Sequence, residues 1–224
     1  MLNSGYIKSV LNSRPLLILG LSMLVAGLPL SLFLTSLSQF VLAGSFFLEG
    51  EDVKKKFFRF FTSEAAIYLV AIWLIHLIGL LWTSNYTEGI KDIRIKLPLL
   101  TLPIILAGSG KIKGVQFRFI LGLFLVAVLA GTLISCAVLI GIIPIKIDDI
   151  RDIFIFHISH IRFALFLCFA IVTATWLMSE ASGWKKFFLS LLIFWFIIFF
   201  RFLFFGPGKS WADNEKRKGF IVHP

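Results

Sequence analysis

The feature that most constrains this chain is a run of 33 residues, 16–48, without one charged side chain. A single helix that crosses a bilayer needs only about 20 predominantly apolar residues. Gly27, Leu28 and Pro29 lie near the middle of the run, and both glycine and proline disfavour a continuous helix. The run therefore predicts two short helices over 15–29 and 31–48, with one long kinked helix as the alternative.

The composition of the whole chain continues this pattern. Hydrophobic residues make up 58% of the 224 residues, charged residues make up 15%, and the mean hydropathy is +0.95. Soluble globular chains carry roughly 45–50% apolar and about 25% charged residues. The composition predicts an all-α, polytopic transmembrane bundle within residues 1–205. We predict about six to seven spans, at 15–29, 31–48, 64–82, 94–108, 115–143, 161–178 and 187–205.

The positive charge lies in the segments that connect the apolar runs. The net charge is +10, yet the basic residues are spread over short polar loops such as 49–63 and 83–96. This distribution is typical of a membrane protein oriented by its loops and does not indicate a nucleic-acid-binding face. Alternate loops carry 11 and 6 Lys and Arg residues. The positive-inside rule then predicts a cytoplasmic N-terminus.

Two of the predicted outer loops carry basic side chains that suit a phosphate. Guanidinium forks and lysine ammonium groups bind phosphate or diphosphate, and a histidine can act as a general base or a proton donor near neutral pH. The alternative is that these charges only mark helix ends. The residues are Lys91, Arg94 and Lys96 on one loop and Arg151, His157, His160 and Arg162 on the other.

The same sequence predicts no metal and no cofactor. His157 and His160 are three residues apart, but a zinc site needs a third protein ligand. The aspartates of the same loop are expected to be solvated. Cys136 and Cys168 lie inside apolar runs, where small buried hydrophobic residues are expected rather than a disulfide.

Three segments together resemble a known family. They are GLPLS (27–31), HLIGLLWTSNYTEGIKDIRIKLPLLTLPIIL (76–106) and SHIRFALFL (159–167). In this order they resemble the O-antigen ligase and polymerase family of bacterial envelope enzymes, and the Bacteroidetes-type members most of all. The resemblance covers about residues 15–200.

The resemblance implies a protein of the bacterial inner membrane with a GT-C-like arrangement of helices. Members of this family are metal-independent glycosyltransferases. They take glycan from an undecaprenyl-diphosphate carrier on the periplasmic face and join it to lipid A-core, another glycan or a protein. By analogy Arg94 and Lys96 match the basic residues of the family's KLP segment, and His160 and Arg162 match those of its second outer loop. His160 and Arg162 are the candidate catalytic residues. The candidate substrate-binding residues are Arg94 and Lys96, together with Arg151 and His157 of the second basic loop.

The chain also departs from the family. The resemblance implies about a dozen spans and a large periplasmic loop in a C-terminal half, whereas residues 206–224 form a polar segment without an apolar pattern. A frameshifted or truncated gene product, or a disordered tail, would explain this segment. The chain would then correspond to the N-terminal half of a ligase and would be inactive alone. A multi-pass transporter and an accessory membrane protein of envelope polysaccharide assembly are the alternatives.

Overall fold

The computed structural model describes residues 13–48, 52–110, 112, 114–140, 142 and 160–205. Every regular element within these ranges is helical, which confirms the predicted all-α class. A 3₁₀ turn, Leu80–Trp82, continues the fourth helix. In chain order the helices are α1 (Ser13–Leu30), α2 (Leu32–Leu48), α3 (Val53–Phe61), α4 (Glu64–Gly79), α5 (Tyr86–Ile95), α6 (Pro98–Gly108), α7 (Gly114–Leu139), α8 (His160–Glu180) and α9 (Trp184–Phe205).

The described residues contain three to four candidate membrane spans. Helices α2 and α3 are bent 117° apart, and they make the fourth span only if they count as one broken crossing. Helix α6, within the predicted span 94–108, has 11 residues. It rises about 16 Å, roughly half the thickness of the hydrocarbon core. The three helices that are long and apolar enough by themselves are Glu64–Trp82, Gly114–Val138 and Ile161–Glu180.

Residues 16–48 form two helices that pack against each other in opposite directions. Gly27 on α1 faces Thr35 on α2, and Gly20 faces Leu42, so the pairs are centred on Ser31. The Ser31 hydroxyl accepts a hydrogen bond from the backbone N–H of Leu34 at 3.3 Å and caps the start of α2. The run is therefore a hairpin, not one kinked helix.

Two segments that were predicted as polar loops contain short helices. Asp52 precedes α3 and accepts a hydrogen bond from the backbone N–H of Lys54 at 3.2 Å. Asn85 precedes α5 and accepts one from the N–H of Glu88 at 3.3 Å. These side chains satisfy N–H groups that a helix start leaves without partners. A capped start lets these charged segments form helices, although their polarity alone predicts loops.

The described chain divides into two compact units. One comprises residues 13–24 and 36–117, and the other comprises residues 25–35 and 118–205. We refer to them as the first unit and the second unit. In the first unit, α3 and α4 both pack against α6. In the second unit, α7, α8 and α9 share an apolar core whose members are Phe124, Leu125, Val128, Phe163, Leu167, Ala170, Ala174, Phe196 and Phe199.

Candidate functional site

The three helices of the second unit alternate in direction. The Arg118 guanidinium, near the start of α7, donates to the Glu180 carboxylate at the end of α8 at 3.0 Å. Near the other end of the same two helices, the space over Gly131 of α7 is filled by the ring of Phe163 of α8. Helices α7 and α8 are therefore antiparallel. The short connection between α8 and α9 makes that pair antiparallel as well.

This alternation brings two arginines to one end of the second unit. The rings of Phe163 on α8 and Phe199 on α9 lie in edge contact, with centroids 6.3 Å apart. Arg162 precedes the first of these rings by one residue, and Arg201 follows the second by two residues. Both arginine side chains are exposed. We call this the arginine end of the second unit.

An apolar cavity of about 350 Å³ opens near the arginine end, between α7 and α9. Its walls are entirely apolar. Two of the lining residues on α9, Phe199 and Phe202, flank Arg201 in the sequence. Besides these two phenylalanines, the cavity is lined by Cys136, Ile140, Trp195 and Ile198.

One wall of the cavity is held by a hydrogen bond between helices. The indole Nε1–H of Trp195 on α9 donates to the hydroxyl oxygen of Thr132 on α7 at 2.9 Å. The Thr132 hydroxyl in turn donates to the backbone carbonyl of Leu129 at 2.7 Å, and its side chain is fully buried. The Thr132 hydroxyl thus donates one hydrogen bond and accepts another. The bond that it accepts holds the Trp195 ring in a defined position against the cavity.

Replacing Thr132 by valine removes the acceptor of the Trp195 indole without changing the shape of the side chain. We expect the protein to lose about 1 kcal/mol of stability, the size measured for hydrogen bonds between membrane helices. Unfolding in mixed micelles, followed by circular dichroism, measures the change. The control is Thr175→Val, because the Thr175 hydroxyl bonds only to Ile171 of its own helix, at 2.8 Å, in the hydrogen bonds described. An equal loss in both variants would contradict the prediction.

The basic residues predicted on the first outer loop lie on α5 or directly after it, in the first unit. Arg94 is exposed in the last turn, where a positive charge complements the helix dipole. Lys96 directly follows α5, and its ammonium group lies 2.5 Å from the carboxylate of Asp92 on that helix. Arg162 belongs to the second unit. The predicted set of cations is therefore divided between the two units.

Of the remaining predicted residues, only His160 lies within the described ranges. His160 is the first residue of α8, so its backbone position beside Arg162 is defined. Nothing is described of its side chain. Arg151 and His157 lie outside the described residues. Within the described ranges, no group of three His, Cys, Asp or Glu residues is placed to hold a metal ion.

The sequence pattern does not single out Arg201 as a site residue. It lies in the last predicted span, and its closeness to Arg162 depends on how α8 and α9 pair. One signal could have found it. Successive spans run in opposite directions, so the end of the span 187–205 and the start of the span 161–178 must reach the same side of the membrane.

The fold and the site together define a class of protein. Helices of this length and apolarity identify an α-helical integral membrane protein. Comparison of the chain with models of known families, with curated proteins and with solved structures finds no match. The chemistry of the arginine end is thus the starting point for its function. Two exposed arginines at the end of the unit where an apolar cavity opens suit an amphiphile with an anionic head and a hydrocarbon tail.

Proposed function

We propose that this membrane protein binds a glycan linked to undecaprenyl diphosphate and acts as an O-antigen ligase or polymerase-type glycosyltransferase. The observation that carries the proposal is the arginine end of the second unit. Two exposed guanidinium groups, on Arg162 and Arg201, lie at the end of the bundle where an entirely apolar cavity opens. The diphosphate would bind the arginines, and part of the isoprenoid chain would occupy the cavity.

The start of α8 adds to the positive potential of this end. The first turn of α8 contains Arg162 and no acidic residue. A helix N-terminus carries a partial positive charge, so it favours anions rather than cations. A guanidinium at this position is unfavourable by itself and becomes favourable when an anion binds. The diphosphate of the glycan-linked carrier, which is esterified at both ends, provides two negative charges for this purpose.

The resemblance in the sequence supplies the reaction. A hydroxyl group of the acceptor attacks the anomeric carbon of the carrier-linked sugar, and the bond from that carbon to the diphosphate oxygen breaks. Undecaprenyl diphosphate leaves, and the arginines neutralise the negative charge that develops on the oxygen that linked it to the sugar. The proton of the attacking hydroxyl passes to a base, for which His160 is the candidate. The acceptor class is lipid A-core or another glycan.

The proposal also includes the orientation of the chain. With a cytoplasmic N-terminus and the positive charges of alternate loops inside, Arg162 and Arg201 reach the periplasmic face of the inner membrane. The charge count over alternate loops predicts the same side for the loops that carry Arg94, Lys96, Arg151 and His157. The finer architecture belongs to the proposal too, with six to seven spans in a GT-C-like arrangement.

Binding of a prenyl diphosphate to the purified protein in lipid nanodiscs tests the proposal. Each of Arg162→Ala and Arg201→Ala is expected to weaken binding of undecaprenyl diphosphate about tenfold, and the double variant roughly 100-fold, because hydrogen bonds to charged groups are lost. Binding of uncharged undecaprenol should not change. Native mass spectrometry measures both ligands on the same sample.

The matched control is Arg118→Ala, which removes an arginine at the opposite end of the same unit. Its binding should equal that of the unchanged protein. Equal affinity for the diphosphate in the double variant would contradict the site. Transfer of glycan to an acceptor is measured separately. Binding without transfer would favour an accessory protein of polysaccharide assembly over an enzyme.

A further inference from the structure

A short basic helix in the first unit has a surface that the proposed glycan transfer does not use. Helix α3 has nine residues, VKKKFFRFF, and after the first valine it consists of four basic residues and four phenylalanines. Most of its basic residues lie on one face and its phenylalanines on the other, with Lys54 between Phe58 and Phe61. Of these nine residues, Lys56 and Phe60 are the buried ones. A helix with separate basic and aromatic faces is typical of segments that lie in the membrane interface.

Two cations hold α3 against the ends of other helices. The buried ammonium group of Lys56 donates to the backbone carbonyl of Phe46, in the last turn of α2. The guanidinium of Arg59 donates to the carbonyl of Gly108, the last residue of α6, at 3.1 Å. The last carbonyls of a helix have no partner inside the helix and carry partial negative charge. These two bonds therefore fix α3 where the apolar helices α2 and α6 both end.

The side of α3 that faces away from these helices combines lysine and phenylalanine. Lys54 and Lys55 are exposed. The exposed fractions of the phenylalanines are 41% for Phe57, 71% for Phe58 and 66% for Phe61. A surface depression of the helix is lined by Lys54, Lys55, Phe58 and Arg59. Ammonium groups next to exposed aromatic rings match a layer in which phosphates lie directly above hydrocarbon.

We propose that α3 is an interfacial helix that binds the anionic phospholipid headgroups of the bilayer. The lysines contact the lipid phosphates, and the exposed phenylalanines enter the hydrocarbon just below them. The 117° bend between α2 and α3 takes the helix away from the direction of α2 at the end of that helix. A re-entrant course is disfavoured, because it would carry the exposed lysines into hydrocarbon at about 2.5–3.5 kcal/mol each. This inference does not depend on glycan transfer.

Lipid-specific quenching of a probe on α3 tests the inference. Phe58 is replaced by cysteine in a Cys136→Ala, Cys168→Ala background and labelled with bimane, and Phe61→Cys serves as a second position. The protein is reconstituted with brominated phosphatidylglycerol or brominated phosphatidylcholine. We expect quenching by both lipids and stronger quenching by the anionic one. The ratio of the two gives the relative association of each lipid with α3.

The lysines are tested by a double substitution within the same labelled protein. Lys54→Gln with Lys55→Gln is expected to lower the preference for phosphatidylglycerol at least fivefold, because two positive charges that attract anionic lipid are removed. The matched control is Lys185→Gln with Lys186→Gln, which also removes two adjacent exposed lysines, at the start of α9. It should leave the preference measured on α3 unchanged.

Three results would overturn the inference. If neither brominated lipid quenches the label at position 58 or at position 61, the exposed face of α3 lies in water or against protein. If the anionic preference is unchanged by the substitutions at Lys54 and Lys55, the lysines do not bind lipid phosphate. A loss of preference that is equal in the Lys185 and Lys186 control would also contradict a site on α3.

Discussion

Replacing Gly27 by alanine is expected to destabilise the α1–α2 hairpin by about 3 kcal/mol, the upper end of the range for overpacking. A Cβ atom at this position would lie 2.7 Å from the backbone nitrogen of Thr35 and 3.1 Å from the carbonyl carbon of Leu34. These are backbone atoms, so no side-chain rotation relieves the contact and the two helices must separate. Equilibrium unfolding in mixed micelles, followed by circular dichroism, measures the loss.

A second glycine of the same hairpin serves as the control position. Gly44 lies on α2, and a Cβ atom built there meets nothing within 4 Å. Gly44→Ala is therefore expected to be neutral or to stabilise α2 by up to about 1 kcal/mol, because alanine is the better helix former. If Gly27→Ala and Gly44→Ala unfold at the same denaturant concentration, the close approach of the helices at Gly27 is wrong.

The second large effect is expected for Lys56→Ala, at about 3 kcal/mol of lost stability. Lys56 is fully buried, its ammonium group bonds to the Phe46 carbonyl, and the same group lies 4.8 Å from the centre of the Phe46 ring. The substitution leaves a buried carbonyl without its charged donor and removes a stem that packs beside Gly108. Losing a hydrogen bond to a charged group costs about 1.5–3 kcal/mol, and the cavity adds to that.

Two further variants separate these contributions. Lys56→Met keeps most of the stem and removes only the donor, so its loss should be smaller than that of Lys56→Ala. Lys54→Ala removes an exposed lysine of the same helix and should change stability by less than about 0.5 kcal/mol. Thermal unfolding of the three variants in one detergent shows which of them loses the most stability and which the least. Equal effects of Lys54→Ala and Lys56→Ala would show that Lys56 does not join α3 to α2.

The part of the candidate site that could be predicted is the part carried by local sequence. Arg162 was recognised because an ionisable group at the start of an apolar segment is unusual wherever that segment packs. Arg201 was not recognised, because its place in the candidate site depends on the antiparallel pairing of α8 and α9. The cavity between α7 and α9 could not be predicted either. Its lining residues are ordinary apolar side chains of two different helices.

Helices α3 and α5 show a second limit of sequence reasoning. Their segments are too polar to cross a membrane and too short to stand out by periodicity, so they were predicted as loops. Their helical form depends on single capping side chains, Asp52 and Asn85, and on neighbours that α3 packs against. The basic character of residues 49–63 was evident in the sequence. The burial of Lys56 was not.

The sequence by itself determined that this is an all-α membrane protein and where most of its apolar helices lie. Backbone groups in a bilayer must be bonded within their own helix, so local apolarity and length are enough to predict such segments. Only the tertiary structure decided which helices pack together, where α3 attaches, and that an apolar cavity opens near Arg162 and Arg201. The physical reason is that lipid tails are as apolar as the helices. Hydrophobicity therefore places a helix in the membrane but does not choose its neighbours, which depend on small residues such as Gly27 and on single bonds such as that from Trp195 to Thr132.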